Sequence, residues 1–327
     1  MSFSGGKDST VLLALIKMCE EIYTIPVGGI PAVFSNTGIE LGVTVDFVRW
    51  VKNSGWYSNV QIIRPEVSFD WVIKNKGKPM LSKLKSHTLH QFKTTKPPSS
   101  VSLLIDRKTL GGRPAWKVGL ADKDMHIASD KFAIMPSEQC CDYMKKKPLK
   151  KYEKENNIKG TITGIRMGEG GVRQLEAKRR VKQGGKLCTY TKNNIIYKTP
   201  IIDWSDLDVE EFIKKYNVPL SDAYTKYGFD RTGCMACPYS RRVDANLEYL
   251  YYHEPNRYKA SMHWLKDVYI AQNVILPFDR EYEKEREKTW RDIYEPMRQE
   301  MLRKYRPESR RIKDGDQMTI FEFLEEE

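Results

Sequence analysis

Four residues into the chain, Ser4-Gly5-Gly6-Lys7-Asp8-Ser9 joins a short apolar stub to an amphipathic run, and this junction constrains the fold more than any other feature. Met1–Phe3 reads as the end of a strand. Asp8–Glu21 carries Val11, Leu12, Leu15 and Ile16 at helical spacing. Two adjacent glycines let the backbone turn tightly and bring its N–H groups up to an anion. The helix that follows adds unpaired amides and the positive end of its dipole. The pattern then repeats: Ile30–Ser35 predicts a buried parallel strand, Val43–Lys52 a helix and Val60–Arg64 a second strand. A β-α-β-α-β order predicts an α/β fold, a parallel sheet flanked by helices. The first strand has almost nothing before it, so either the start is unusually tight or a few residues belong upstream.

Further along, the predicted elements are a helix over Gln139–Asn156, a core strand over Gly160–Gly164 with Ile162 buried, and a helix over Asp206–Tyr216 capped by Asp206. Lys93–Ser102 reads as a loop, broken by Pro97 and Pro98. Asp279–Lys313 reads as densely charged helix. The expected organisation is a nucleotide-binding and cysteine-bearing domain over 1–240, interrupted by a lysine-rich insertion over 74–135, then a helical C-terminal region over 241–312 and a flexible tail over 313–327.

The formal net charge is +12, and its excess is local: between Lys74 and Lys123 stand twelve Lys or Arg against Asp106 and Asp122. Such a segment attracts a polyanion, DNA or tRNA, through phosphate contacts and counterion release; the other reading is a solvated lysine-rich face. No run of 18 apolar residues exists, which argues against a membrane-spanning helix, and no secretion signal is read at the N-terminus. The expected location is the cytoplasm.

There, six cysteines point to metal or redox chemistry before disulfides. Cys140 and Cys141 are adjacent; Cys234 and Cys237 form a C-x2-C turn. Four thiolates match the corners of a [4Fe-4S] cluster, and the neighbouring Lys145, Lys146 and Lys147 favour thiolate. Tetrahedral zinc would take the same four residues.

The loop differs from G-x-x-x-x-G-K-[ST] and from G-x-G-x-x-G. It resembles the SGGxDS loop of PP-loop ATP pyrophosphatases and sulfonucleotide reductases, the adenine nucleotide alpha hydrolase-like group. The CC-x3-K-x2-PL stretch followed by C-x2-C resembles the cluster motif of [4Fe-4S] adenylylsulfate reductases. It also resembles phage and bacterial phosphoadenosine phosphosulfate (PAPS) reductase family members and the DNA-phosphorothioation protein DndC. Phe34–Glu40, Gly164–Arg173, Pro200–Val209 and Gly228–Cys234 resemble further family segments, with Asn36 where Asp is common and Gly170 where Ser is usual. The likeness runs from Ser4 to about Ser240.

It implies that Ser4, Gly5, Gly6, Lys7, Ser9, Thr10, Asn36, Thr37, Gly164, Glu169 and Arg173 hold ATP or a sulfonucleotide (PAPS or adenylylsulfate). Asp8, recruiting Mg²⁺ or capping the helix, and Arg166 and Arg231, neutralising oxyanions, would carry catalysis. Sulfonucleotide reductases use a nucleophilic cysteine in a C-terminal E-C-G-[IL]-H motif, and no cysteine follows Cys237 here. The expectation is therefore ATP pyrophosphatase-type activation coupled to sulfur transfer or nucleic-acid modification, served by a sulfur donor. Sulfonucleotide reduction with a thioredoxin-like reductant is the alternative, and a non-catalytic nucleotide-sensing, DNA-associated module is the reading from another class. Gln317-Met318-Thr319-Ile320-Phe321 resembles peptides that dock on sliding clamps, with self-packing of the tail as the alternative.

Overall fold

In the computed structural model the described residues are 1–24, 29–169, 171–192 and 194–306, without the side chains of 169 and 171–173. The clamp-like peptide and Gly170 lie outside them. The chain divides into two compact units. One comprises Met1–Asn75, Gln139–Cys237 and Tyr249–Ser261; the other comprises Lys76–Glu138, Pro238–Glu248 and Met262–Glu327. The basic segment therefore folds into the same unit as most of the C-terminal helices, across the boundaries that the sequence suggested.

The first unit is built on parallel strands. β1 (Ala32–Ser35) pairs in parallel with β2 (Val60–Ile63), and β3 (Gly160–Ile162) pairs in parallel with β5 (Ile195–Lys198), which β4 (Thr189–Lys192) joins antiparallel. Met1–Phe3 connects the two groups: Phe3 N donates to Val33 O at 2.9 Å, and Ser2 N donates to Ile162 O at 3.0 Å. So the three-residue stub is a strand position in the middle of the sheet. All four β1 side chains are buried, as a strand covered on both faces requires. Ala32 and Phe34 pack with Leu12, Leu13 and Ile16 of helix α1 (Lys7–Ile22) and with Phe47, Val48 and Val51 of helix α2 (Gly42–Asn53). By alternation Val33 and Ser35 face the other way, where the Ser35 hydroxyl donates to Met144 O at 2.9 Å.

Three local expectations change. Ser205, not Asp206, caps the helix Asp206–Tyr216, because its hydroxyl accepts from Asp208 N while the Asp208 carboxylate accepts from the Ser205 amide. Pro98 starts the short helix Pro98–Val101 rather than breaking one, since a first-turn proline sacrifices no hydrogen bond. Ile162 is half-buried against the core, and Thr161 is the buried residue of β3.

In the second unit, His126 lies fully buried, with its ring against Phe132, Trp290 and Tyr294 and its Nε2 at 2.9 Å from Ala271 O. Much of the basic segment is spent on this unit's own architecture. Lys78 pairs with Asp267, Lys96 with Asp130 and Arg107 with Asp122, while Lys93 reaches the carbonyls of Ser129 and Phe132. Lys108, Arg113 and Lys117 are exposed around the 70% exposed Leu110 and 61% exposed Trp116.

Candidate functional site

The loop between Met1–Phe3 and α1 makes two departures from ordinary backbone. Gly5 has φ +70°, and a Cβ there would meet Val48 Cγ2 at 2.9 Å and Thr44 Cγ2 at 3.0 Å. Gly6 is the extended residue before α1, and a Cβ there would meet Thr232 Oγ1 at 2.9 Å. Both positions therefore require glycine, one for conformation and both for space. The loop amides end on hydroxyl oxygens. Ser4 N donates to Ser9 Oγ at 3.2 Å, Gly6 N to Ser4 Oγ at 3.3 Å and Lys7 N to Tyr224 Oη at 3.0 Å. Ser9 and Thr10 in turn donate to Gly6 O at 2.8 and 3.0 Å, which fixes the turn.

Gly164 follows β3 and packs on this loop, where a Cβ would stand 2.9 Å from Asp8 O. Two residues on, Arg166 is buried at 3% exposure. Its Nε donates to Asp8 Oδ1 at 3.0 Å, its Nη1 to Trp204 O at 3.2 Å and its Nη2 to Asp206 Oδ1 at 2.7 Å. Burial opposes the charge of this guanidinium, yet the two carboxylates raise its pKa. The sequence pointed Arg166 at phosphate; here its donors are engaged by Asp8, Asp206 and a backbone carbonyl. Asp206 was not anticipated, and its only sequence signal was its place at the start of a helix.

Asn36 leaves β1 at the carboxyl edge of the sheet, the edge from which the Ser4–Ser9 loop also departs. Its Oδ1 accepts from Gly38 N at 3.1 Å, closing an Asx turn. Thr37 donates to the buried Glu40 through its amide (3.0 Å) and its hydroxyl (2.7 Å). Glu40 and Thr232 stand in segments that the sequence likeness covered but were assigned no role, and Tyr224 was missed; Tyr224 and Thr232 hydrogen-bond each other beside the loop at 3.1 Å. Nothing local in the sequence marks Tyr224, which reaches the loop from more than two hundred positions away.

Glu40 forms an antiparallel bridge with Cys234, and Met235 N donates to Ile39 O at 2.6 Å. This backbone pairing fixes the C-x2-C turn against the end of the Asn36–Glu40 segment. Lys145 donates to Cys234, and its Nζ lies 3.6 Å from Glu40 Oε1. Burial works against the Lys145 ammonium, but Cys234 and Glu40 outweigh it and raise its pKa. Cys140 is buried, with its thiol raised first by its hydrogen bond with Cys141, then by burial, then by the charges of Cys141, Cys237 and Cys234. Burial also raises Cys234, against the pull of Lys145. The four cysteines thus form one electrostatic group, while Cys19 and Cys188 are exposed. Among the described residues, no three His, Cys, Asp or Glu side chains converge as they must to hold a single metal ion. Arg231 is exposed, and the side chains of Glu169 and Arg173 lie outside the described part.

The family model of the phosphoadenosine phosphosulfate reductase domain matches residues 1–100 and 114–240, well over half of the chain. The chain belongs to this family. The PAPS reductase family is one of nucleotide-related sulfur metabolism, and its match runs through the glycine loop and both cysteine pairs, passing over residues 101–113 and ending at 240. Among curated proteins no sequence matches this chain. Among solved structures, the PAPS reductase of Candida auris, determined as a phosphate complex, is similar at 15% identity, covering 72% of this chain and 79% of its own with a TM-score of 0.39. Among the described residues no helix is long and apolar enough to cross a membrane.

Proposed function

We propose that this PAPS reductase family chain is an ATP pyrophosphatase-type enzyme that activates an acceptor for sulfur transfer, the acceptor being nucleic acid. The observation that carries this reading is the Ser4–Ser9 loop. Its amides are held by weakly accepting hydroxyls at the amino end of a 16-residue helix, where phosphate oxygens are the better acceptors. An acceptor oxygen attacks the α-phosphorus, the bond to the β-phosphate oxygen breaks, and pyrophosphate leaves as the acceptor loses its proton. The loop amides and the Lys7 ammonium offset the charge that gathers on the departing pyrophosphate. Arg166, which touches Asp8 and Asp206, is a positioning residue: it fixes the first turn of α1 and so the direction of those amides.

Mg²⁺ would find one carboxylate at the loop, Asp8, already paired with Arg166, and Asn36 in place of a second acid. That is a poor protein site, and any ion at the loop would be held mainly by the nucleotide's phosphates. A [4Fe-4S] cluster fits the donor set better. The four cysteines lie close enough to influence one another's ionisation, and once deprotonated they supply the four thiolates that such a cluster takes. Cys140, Cys141, Cys234 and Cys237 would hold it and Lys145 would offset its charge. Bound there, it supplies sulfur or electron-transfer chemistry.

Pyrophosphate release from ATP, with and without single-stranded DNA or tRNA, tests the proposal. Wild-type release that disappears in Asp8→Asn, a variant that keeps the side-chain shape, supports it. The second reading, sulfonucleotide reduction, is favoured by the family match itself. Thioredoxin-dependent sulfite release from PAPS, without pyrophosphate release from ATP, would replace the first reading by the second.

A further inference from the structure

On the flank of α2's first turn opposite Gly5, the first unit holds a cavity of about 440 Å³ that the nucleotide chemistry above does not use. Its walls include Tyr227, Tyr249 and His253, with Asp46, Asn256 and Arg257 among the polar groups around them. The rings form one aromatic surface: Tyr227 to Tyr249 is 4.8 Å at 68°, Tyr227 to His253 is 5.0 Å and Tyr249 to His253 is 5.1 Å at 34°. Next to it, Tyr252 is 61% exposed on the same helix as Tyr249 and His253.

The polar groups restrict what the cavity can take. The amino end of α2, the natural anion site, is already filled: both Glu254 carboxylate oxygens accept from Gly42 N, at 3.0 and 2.9 Å. Tyr249 Oη donates to the same carboxylate at 2.9 Å, and Arg257 pairs with it at 2.8 Å. A free anion would also meet the carboxylate of Asp46, and a small cation would meet the guanidinium of Arg257. Asp46, paired with Arg49 at 3.2 Å, and Asn256 are exposed at the rim, where an aliphatic group would make no use of their polar atoms. A flat, neutral heterocycle with donors and acceptors along its edge satisfies all of these at once, stacking on the rings and bonding at the rim. The volume lies in the range of small-molecule sites and admits a base with its sugar.

The cavity is also tied to the phosphate loop. Tyr224, whose hydroxyl accepts from Lys7 N, stands three residues before Tyr227. Ser221, at the start of that turn, donates to Val43 O on the cavity side of α2. Thr44 and Val48, on the other side of the same helix, pack on Gly5. A base held against Tyr227 would be joined to the loop through one short segment and one helical turn.

We infer that this aromatic cavity is a nucleobase site beside the phosphate loop, formed by Tyr227 and His253 over Asp46 and Asn256. The inference rests on the reading of the acceptor as nucleic acid, and the base has two sources, an acceptor strand or the adenine of the bound nucleotide. The test uses the full-length protein and fluorescence anisotropy of a labelled oligothymidine of about ten nucleotides. An abasic strand of the same charge is the first control, and ATP titrated alone by calorimetry is the separate arm.

Tyr227→Ala should weaken the base-bearing strand by about five- to a hundredfold, the range for losing one stacked base. Tyr227→Phe, which keeps the ring, should stay within about twofold, and the abasic strand should bind both variants alike. His253→Ala, at an exposed position, gives a second readout that does not depend on the core. Weakened ATP binding with an unchanged strand would assign the site to the nucleotide's own base. If Tyr227→Ala and His253→Ala both bind strand and ATP as the wild type does, the inference is overturned. Pyrophosphate release by the wild type judges the ATP reading separately, so a failure of either is recognisable by itself.

Discussion

At Gly5 the φ of +70° and the 2.9 Å approach of Val48 make alanine costly on two counts, conformation and overlap. Gly5→Ala should lose about 2 kcal/mol in urea unfolding and weaken nucleotide binding in calorimetry as the amides are turned away. Arg166 poses a different residue-scale problem. It is buried with one half-exposed and one exposed carboxylate, Asp8 and Asp206 at 19% and 74% side-chain exposure. Removing the arginine takes away three hydrogen bonds at once, to Asp8, Trp204 and Asp206, whereas removing Asp206 leaves an arginine still held by Asp8 and Trp204. Arg166→Ala should therefore cost about 3 kcal/mol and Asp206→Ala about 1 kcal/mol or less, read from paired denaturation curves. A larger loss for Asp206→Ala would reverse that ranking.

Elements were legible where a local rule had no competitor. The spacing of Val11, Leu12, Leu15 and Ile16 and the apolar run at Ile30–Ser35 announced α1 and β1, because both are governed by burial against one core. The β4–β5 hairpin was missed. It carries alternating, half-exposed side chains, Thr189–Lys192 against Ile195–Lys198, and its signal is the turn residue Asn194 at φ +61° rather than hydrophobicity. In the candidate site, the glycines and the cysteines were readable from their own spacing. The roles of Asp206, Tyr224 and Thr232 were not, since they come from long-range approach, nor was that of Glu40, which joins the local Thr37 to the distant Lys145 and Cys234.

The element packed around His126 yields a pH prediction. Burial lowers this imidazole to about 4 from an ordinary 6.5, so the unfolded chain binds the proton more tightly. The stabilisation is complete above pH 6.5 and is lost as pH falls from 6.5 through 4, an effect on the order of 3 kcal/mol. Melting temperatures across that window should fall in the wild type and fall less in His126→Gln. Equal slopes would show that His126 is not the group responsible.

At the scale of the whole chain, charge was harder to read than pattern. The basic run from Lys74 to Lys123 suggested a polyanion surface, yet Lys78, Lys93, Lys96 and Arg107 bond within the second unit. Composition counts charges but not their partners. What remains exposed is the cluster of Lys108, Arg113 and Lys117 around Trp116, partly within the 101–113 stretch that the family model passes over. Replacing those three basic residues by Ser should flatten the salt dependence of single-strand binding by about two units of log–log slope, at about 0.7 per phosphate contact. An unchanged slope would return the segment to a purely structural role. The proposed chemistry depends on the grip of main-chain amides on a nucleotide's phosphates, and calorimetry of the reduced, full-length protein with ATP and with PAPS measures that grip directly. Saturable binding that Gly5→Ala weakens is the predicted result; no heat of association with either nucleotide at millimolar concentration would contradict it.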